Sequence, residues 1–202
     1  MTTATFNPTL DAYINAAAAS STDPIPRNGT IRLGGNDNFY RSLLRFSLGS
    51  IPTSALIISA SLTIYNETTT VFTPPKTFTA YRLTQANWTA GVTWSAYDGS
   101  TGWGASGGDY STPSAASSMA ASTDNLVLSG LEQLISDAVA NRSGVLDMIV
   151  VGPEVAGTGA YFTGYSVDYG TAALRPLLTV QYGVSTPDLG WTSQVKRPEW
   201  TA

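Results

Sequence analysis

Arg41 and Arg45 fall on one face of the strand-like segment 39–48. A guanidinium is a planar fork that takes a carboxylate through two parallel N–H bonds, so this face could hold the uronates of an acidic polysaccharide. The competing role is an ion pair with a carboxylate on a neighbouring strand. Further on, the Gly-, Ser-, Ala- and Thr-rich stretch 85–124 carries Trp88, Trp94, Tyr97, Trp103 and Tyr110. Aromatic faces stack on the apolar faces of sugar rings, and they are also enriched where subunits meet. Trp88 and Trp94 are expected in the core at the base of this stretch. Tyr97, Trp103 and Tyr110 are expected to face a ligand or a neighbouring subunit.

Glycoside hydrolysis would need one carboxyl group kept protonated and a second kept ionised across a cleft. Of 14 acidic residues, Asp98 and Asp109 lie nearest the tryptophans. Asp also occupies loops because its side chain closes turns, and neither residue sits in a catalytic motif, so no catalytic residue is assigned. Asp11, Asn28, Asp37 and Asp168 supply hard oxygen donors for a candidate structural calcium, which needs six to eight converging oxygens. Turn positions would explain the same four residues, and no cofactor is required. The chain has no His and no Cys. The commonest general base, the commonest transition-metal ligand, thiolate chemistry and disulfides are thereby removed. A net charge of −4 argues against a nucleic-acid partner. Only 12% of residues are charged, which suits a rigid particle or a secreted module better than a cytosolic enzyme.

The segments that must hold these residues read as strands. In 39–48, Tyr40, Ser42, Leu44, Phe46 and Leu48 share one face, with Arg41, Arg45 and Ser47 on the other. After a break at 49–54, Ile58, Ala60, Leu62 and Ile64 are expected inward, with Ser59, Ser61, Thr63 and Tyr65 outward. Period 2 with one wet face predicts antiparallel pairing. Further strands are expected at 2–6, 11–15, 30–33, 76–84, 146–151, 160–167 and 174–182, with 85–124 as one long loop. One helix is predicted over 129–141, opened by a capping box in which Ser129 and Glu132 satisfy each other's backbone donors.

About nine strands and one short helix predict an all-β, two-sheet antiparallel jelly-roll sandwich over 1–183. Residues 184–202 are expected to form an extended arm that docks on a partner chain through Trp191, Lys196, Arg197 and Trp200. A chain of this length can bury roughly 70% of its unfolded surface, so one domain suffices. The longest apolar run, 55–58, is far short of the roughly 20 residues a membrane helix needs. No secretory signal is visible at the start, and no membrane insertion is expected.

Several motifs, in order, resemble the DNRLRE (disaggregatase-related) domain family, also seen as a carbohydrate-binding module. They are Asp11, Tyr13 and Ile14 followed by Asn28 and Gly29; the arginine strand 41–46; the corner Ile51-Pro52; and the strand 59–65. Trp88 with Thr93-Trp94, and the closing Arg175, Pro176, Leu178, Val180 and Tyr182, complete the set. The resemblance covers about 4–183. Thr89-Ala90 replaces the family's usual acidic residue, and the helix lacks the usual tryptophan.

The resemblance implies a β jelly roll, extracellular or particle-surface binding, and no catalysis. The leading expectation is a non-enzymatic structural protein of a bacteriophage virion, a capsid decoration or tail component. Its expected partners are its own subunits, with a trimer favoured, and a capsid or tail protein. The alternative is a secreted carbohydrate-binding module for acidic polysaccharide, with a surface glycan as ligand. A polysaccharide hydrolase or lyase ranks third.

Overall fold

The computed structural model describes residues 1–18, 29–35, 38–67, 75–119, 123–154 and 161–184. Its strands are β1 (Thr2–Phe6), β2 (Leu10–Asn15), β3 (Thr30–Gly34), β4 (Tyr40–Ser47), β5 (Ala55–Ile64) and β6 (Lys76–Leu83). They continue as β7 (Tyr110–Met119), β8 (Leu126–Ser129), β9 (Val145–Val151), β10 (Tyr161–Tyr165) and β11 (Leu177–Val184), with one helix, α1 (Glu132–Asn141). Four strands form one sheet in the order β1-β11-β5-β8. Seven form the other, β10-β3-β4-β9-β6-β7 with β2 paired alongside β4. Every pairing between named strands is antiparallel.

The order of connection defines the jelly roll. From β1 to β2, β4 to β5, β5 to β6, β7 to β8, β8 to β9 and β10 to β11 the chain crosses between the sheets, while β2 to β3, β3 to β4, β6 to β7 and β9 to β10 stay within the seven-stranded one. Such wrapping buries one face of every strand but β2 in a shared core. That core gathers Leu44 and Phe46 of β4, Leu62 and Ile64 of β5, and Leu178 and Val180 of β11. Phe78 and Phe162 meet edge to face within it, ring centroids 5.9 Å apart. Burying each such side chain contributes about 1.5–3 kcal/mol, which is where the two layers gain their cohesion.

Three local readings change. In β5, Ile57 rather than Ile58 turns inward, because the register with β11 slips between Gln181 and Tyr182 and reverses the alternation there. Residues 110–119 form β7 inside the stretch expected to be loop; as the outer strand of its sheet it accommodates Pro113, which has no donor for a ladder. The capping box does not form. Ser129 closes β8 opposite Ser61, Gly130 turns the chain at φ +80°, and Glu132 accepts a hydrogen bond from the Ala60 N–H at 3.0 Å. Strand demand outcompetes the local cap, and α1 begins at Glu132 with no side-chain cap. Its buried face is Leu134, Ile135, Ala138 and Val139.

Candidate functional site

On β4 the odd-numbered residues Arg41, Leu43 and Arg45 point away from the inter-sheet core. In place of the expected wet face, Leu43 is fully buried. The connection between β6 and β7 folds back over it. Trp88, Val92 and Trp103 from that connection join Leu43, Ala12, Ile14, Leu83 and Ile149 in a second hydrophobic cluster. The connection is stitched to itself by Thr89 N–H to Tyr97 O, Thr93 N–H to Ala96 O and Trp103 N–H to Ser95 O. Trp103 is only 8% exposed, and its Nε1 donates to the Thr93 carbonyl at 3.0 Å. It therefore turns into the protein rather than outward as expected, because the apolar outer residues of β4 and β9 draw it down as cover. Tyr97 lies edge-on to it at 5.8 Å, and Tyr97 and Tyr110 are half-buried against the same cluster. Trp88 is buried and Trp94 packs against the cluster, as their placement at the base of the stretch suggests.

The two arginines are consumed by this construction. Arg41 takes Glu154 with both arms of its fork, Nε at 2.6 Å and Nη2 at 2.9 Å, and its Nη1 donates to the Gly107 carbonyl at 2.8 Å. Its flat face covers Trp94 at 4.7 Å and Tyr110 at 5.5 Å. Burial alone would lower its pKa, but the hydrogen bond and charge of Glu154 outweigh that and raise it. Arg45 pairs with Asp147 at 2.7 Å, donates to the Ala86 carbonyl at 2.6 Å, and lies over Trp88 at 5.0 Å. Trp88 Nε1 donates to the same Asp147 oxygen at 2.6 Å. A fork already filled by its own carboxylate has no strong site left for a uronate.

The loop carboxylates close turns. Asp98 accepts from the N–H and hydroxyl groups of both Ser100 and Thr101. Those bonds, the Thr101 N–H foremost, hold its carboxyl well below the usual range. Asp109 accepts from the N–H groups of Gly104 and Ala105. Both carboxylates act on backbone donors rather than across a cleft. Of the calcium candidates, Asp11 accepts from the Val167 N–H at 2.7 Å, which places it at the turn that carries the exposed Asp168. Asn28 and Asp37 lie outside the described residues, as do Trp191, Lys196, Arg197 and Trp200. Among the described residues no three acidic groups cluster to hold a metal.

Among the described residues two arginines have no carboxylate partner, Arg175, which donates to the Tyr169 carbonyl, and Arg32. Arg32 of β3 lies opposite Thr163 of β10. Its guanidinium carbon is 5.5 Å from the ring centres of both Tyr13 and Tyr40, which themselves meet edge to face at 5.9 Å. Among the described residues its buried Nε has no hydrogen-bond partner. Arg32, Tyr40, Tyr161 and Thr163 line a groove of about 380 Å³. Two other grooves flank the paired arginines: one of about 380 Å³ beside Arg41 and Asp109, and one of about 510 Å³ beside Arg45, Arg142 and Asp147. In both of these the positive charge is already met, Arg142 by Asp137 at 2.6 Å. Nothing in Thr30-Ile31-Arg32-Leu33 marks Arg32 beyond its polar place in a strand. Only an inventory of the arginines' ion pairs and hydrogen bonds together singles it out.

Neither a scan against protein-family models nor a search of the curated proteins finds a match for this chain.

Proposed function

We propose that the chain is a non-enzymatic jelly-roll structural protein of a bacteriophage virion, acting as a capsid decoration or tail component through contacts between its own copies. One observation supports the assembly reading above the others. The four strands β1, β5, β8 and β11 contain no charged side chain, whereas the seven-stranded sheet holds Asp11, Arg32, Arg41, Arg45, Lys76, Arg82 and Asp147. The outer face of the charge-free sheet is a register of small polar groups: Thr5 opposite Thr179, Thr179 opposite Ser61, Ser61 opposite Ser129. At one end Leu56 is 71% exposed and Ile58 42%, and Val127 is 42% exposed beyond Thr63. A charge-free surface of this kind can be covered by a second copy without burying an unpaired charge.

The virion context rests on the resemblance to a family found outside cells and on the sparse charge. The non-enzymatic part is supported by the turn-closing roles of Asp98 and Asp109. The test is the solution mass of the full chain, of the chain ending at Val184, and of Ile58→Lys. A homo-oligomer that Ile58→Lys converts to a folded monomer is expected, and loss of the oligomer on truncation would assign part of the contact to the arm. A full-length chain that stays monomeric at every accessible concentration would refute the assembly reading.

A further inference from the structure

We propose that the groove at Arg32 is a receptor for a carboxylate-bearing sugar, such as a uronic acid residue of an acidic polysaccharide. The site does not depend on the assembly reading, since it lies on the other sheet. Its starting point is a charge inventory. Arg41, Arg45, Arg82 and Arg142 each face a carboxylate within 3.0 Å, and Arg175 donates to the Tyr169 carbonyl. Among the described residues the Arg32 guanidinium meets only tyrosine rings. Ring faces balance part of a cation's charge but accept none of its N–H groups in the guanidinium plane. The Arg32 Nε is buried beyond a ligand's reach, as is that of Arg82, so the natural complement is a planar anion that takes two parallel bonds from the terminal Nη groups of Arg32.

The rest of the groove selects what carries that anion. Tyr40 and Tyr161 add aromatic surface, which suits the apolar face of a pyranose better than a compact, fully hydrated phosphate. About 380 Å³ falls at the small end of ligand sites, enough for one sugar residue rather than a long segment. The outer edge of β10 beside Thr163 is closed by Glu67 N–H to Thr163 O and Tyr165 N–H to Tyr65 O, so the groove offers a place for one sugar unit at the surface. This is the chemistry that Arg41 and Arg45 invite by sequence, found on a neighbouring strand whose cation is still available.

The experiment is calorimetric titration of the full chain with trigalacturonate, with sialyllactose as a carboxylate on a different sugar, and with maltotriose as a neutral control. Arg32→Gln, Arg32→Lys and Tyr161→Ala are titrated alongside, each first checked for a native thermal transition. Binding of either acidic sugar, absent for maltotriose and weakened about tenfold or more by Arg32→Gln, is the expected result, because the bidentate pair is lost. Arg32→Lys should recover only part of it, since an ammonium lacks the fork, and Tyr161→Ala should weaken binding while keeping the preference for acid. No binding of either acidic sugar by the native chain would overturn the proposal. So would equal binding by Arg32→Gln, or maltotriose binding as tightly as the acids.

Discussion

Asp147 shows what the carboxylates of this molecule are for. It is 5% exposed and accepts from both Arg45 and Trp88, joining β9, β4 and the start of the covering connection at one oxygen. Asp147→Ala leaves the buried Trp88 indole N–H unpaired and takes the carboxylate from a part-exposed Arg45, with an expected loss of about 3 kcal/mol. In a chain of this size that corresponds to a fall in Tm of roughly 10 °C, measurable by calorimetry. Asp137 does similar work at the end of the sandwich, meeting Arg142 at 2.6 Å and Arg82 at 3.0 Å. The Arg142 hydrogen bond foremost lowers its pKa against the opposing effect of burial. Its contribution is therefore complete above the ordinary Asp value, about 3.9, and is lost as pH falls through the depressed folded value. Melting curves at stepwise lower pH should show Asp137→Asn losing less stability on acidification than the native chain. Equal acid slopes would remove Asp137 from this role. At this scale the sequence is legible only in part: Arg41 and Arg45 are visible as a pair on one face, but whether a guanidinium is filled depends on Glu154 and Asp147, more than a hundred residues away.

At the level of elements, the covering connection behaves as a lid of packed side chains on the outer face of β4 and β9. Gly107 sits where it turns past Arg41, at φ +92°, and a Cβ there would lie 2.6 Å from Arg41 Nη1 and 2.8 Å from Trp94. Gly107→Ala is expected to cost about 1–3 kcal/mol in denaturant titration, from the unfavourable dihedral and the displaced guanidinium. Amide hydrogen exchange should find the N–H groups of Thr89, Thr93, Tyr97 and Trp103 opening at lower free energy than those of β4 and β9, because a small satellite cluster can lift while the main core stays closed. Uniform protection across both would mean lid and sandwich open together. The alternation in 39–48 and in 76–84 made β4 and β6 readable, because one face meets the inter-sheet core. β7 was hidden by its Ser, Ala and Pro content, and β8 by a Ser-Gly-Leu-Glu that imitates a helix start until the pairing of Ser129 with Ser61 is known. Leu43 carried the missing clue to the lid: an apolar residue between two arginines on a face otherwise read as wet.

Across the whole molecule, the jelly-roll order was legible because strands with one apolar face and no long apolar run have few other ways to close. The distribution of charge between the sheets was not, since it emerges only when strands far apart in the chain are sorted into layers. If copies meet on the charge-free sheet, their contact has no Coulombic part for salt to screen. Association should then be unchanged from dilute buffer to molar sodium chloride and should tighten in ammonium sulfate, which strengthens apolar burial. Sugar binding at Arg32, resting on one cation, should weaken over the same range. A particle clad in such a protein could pass from fresh water to brine with its coat intact and its grip on an acidic surface loosened, so that the salinity of the medium would govern attachment without touching assembly.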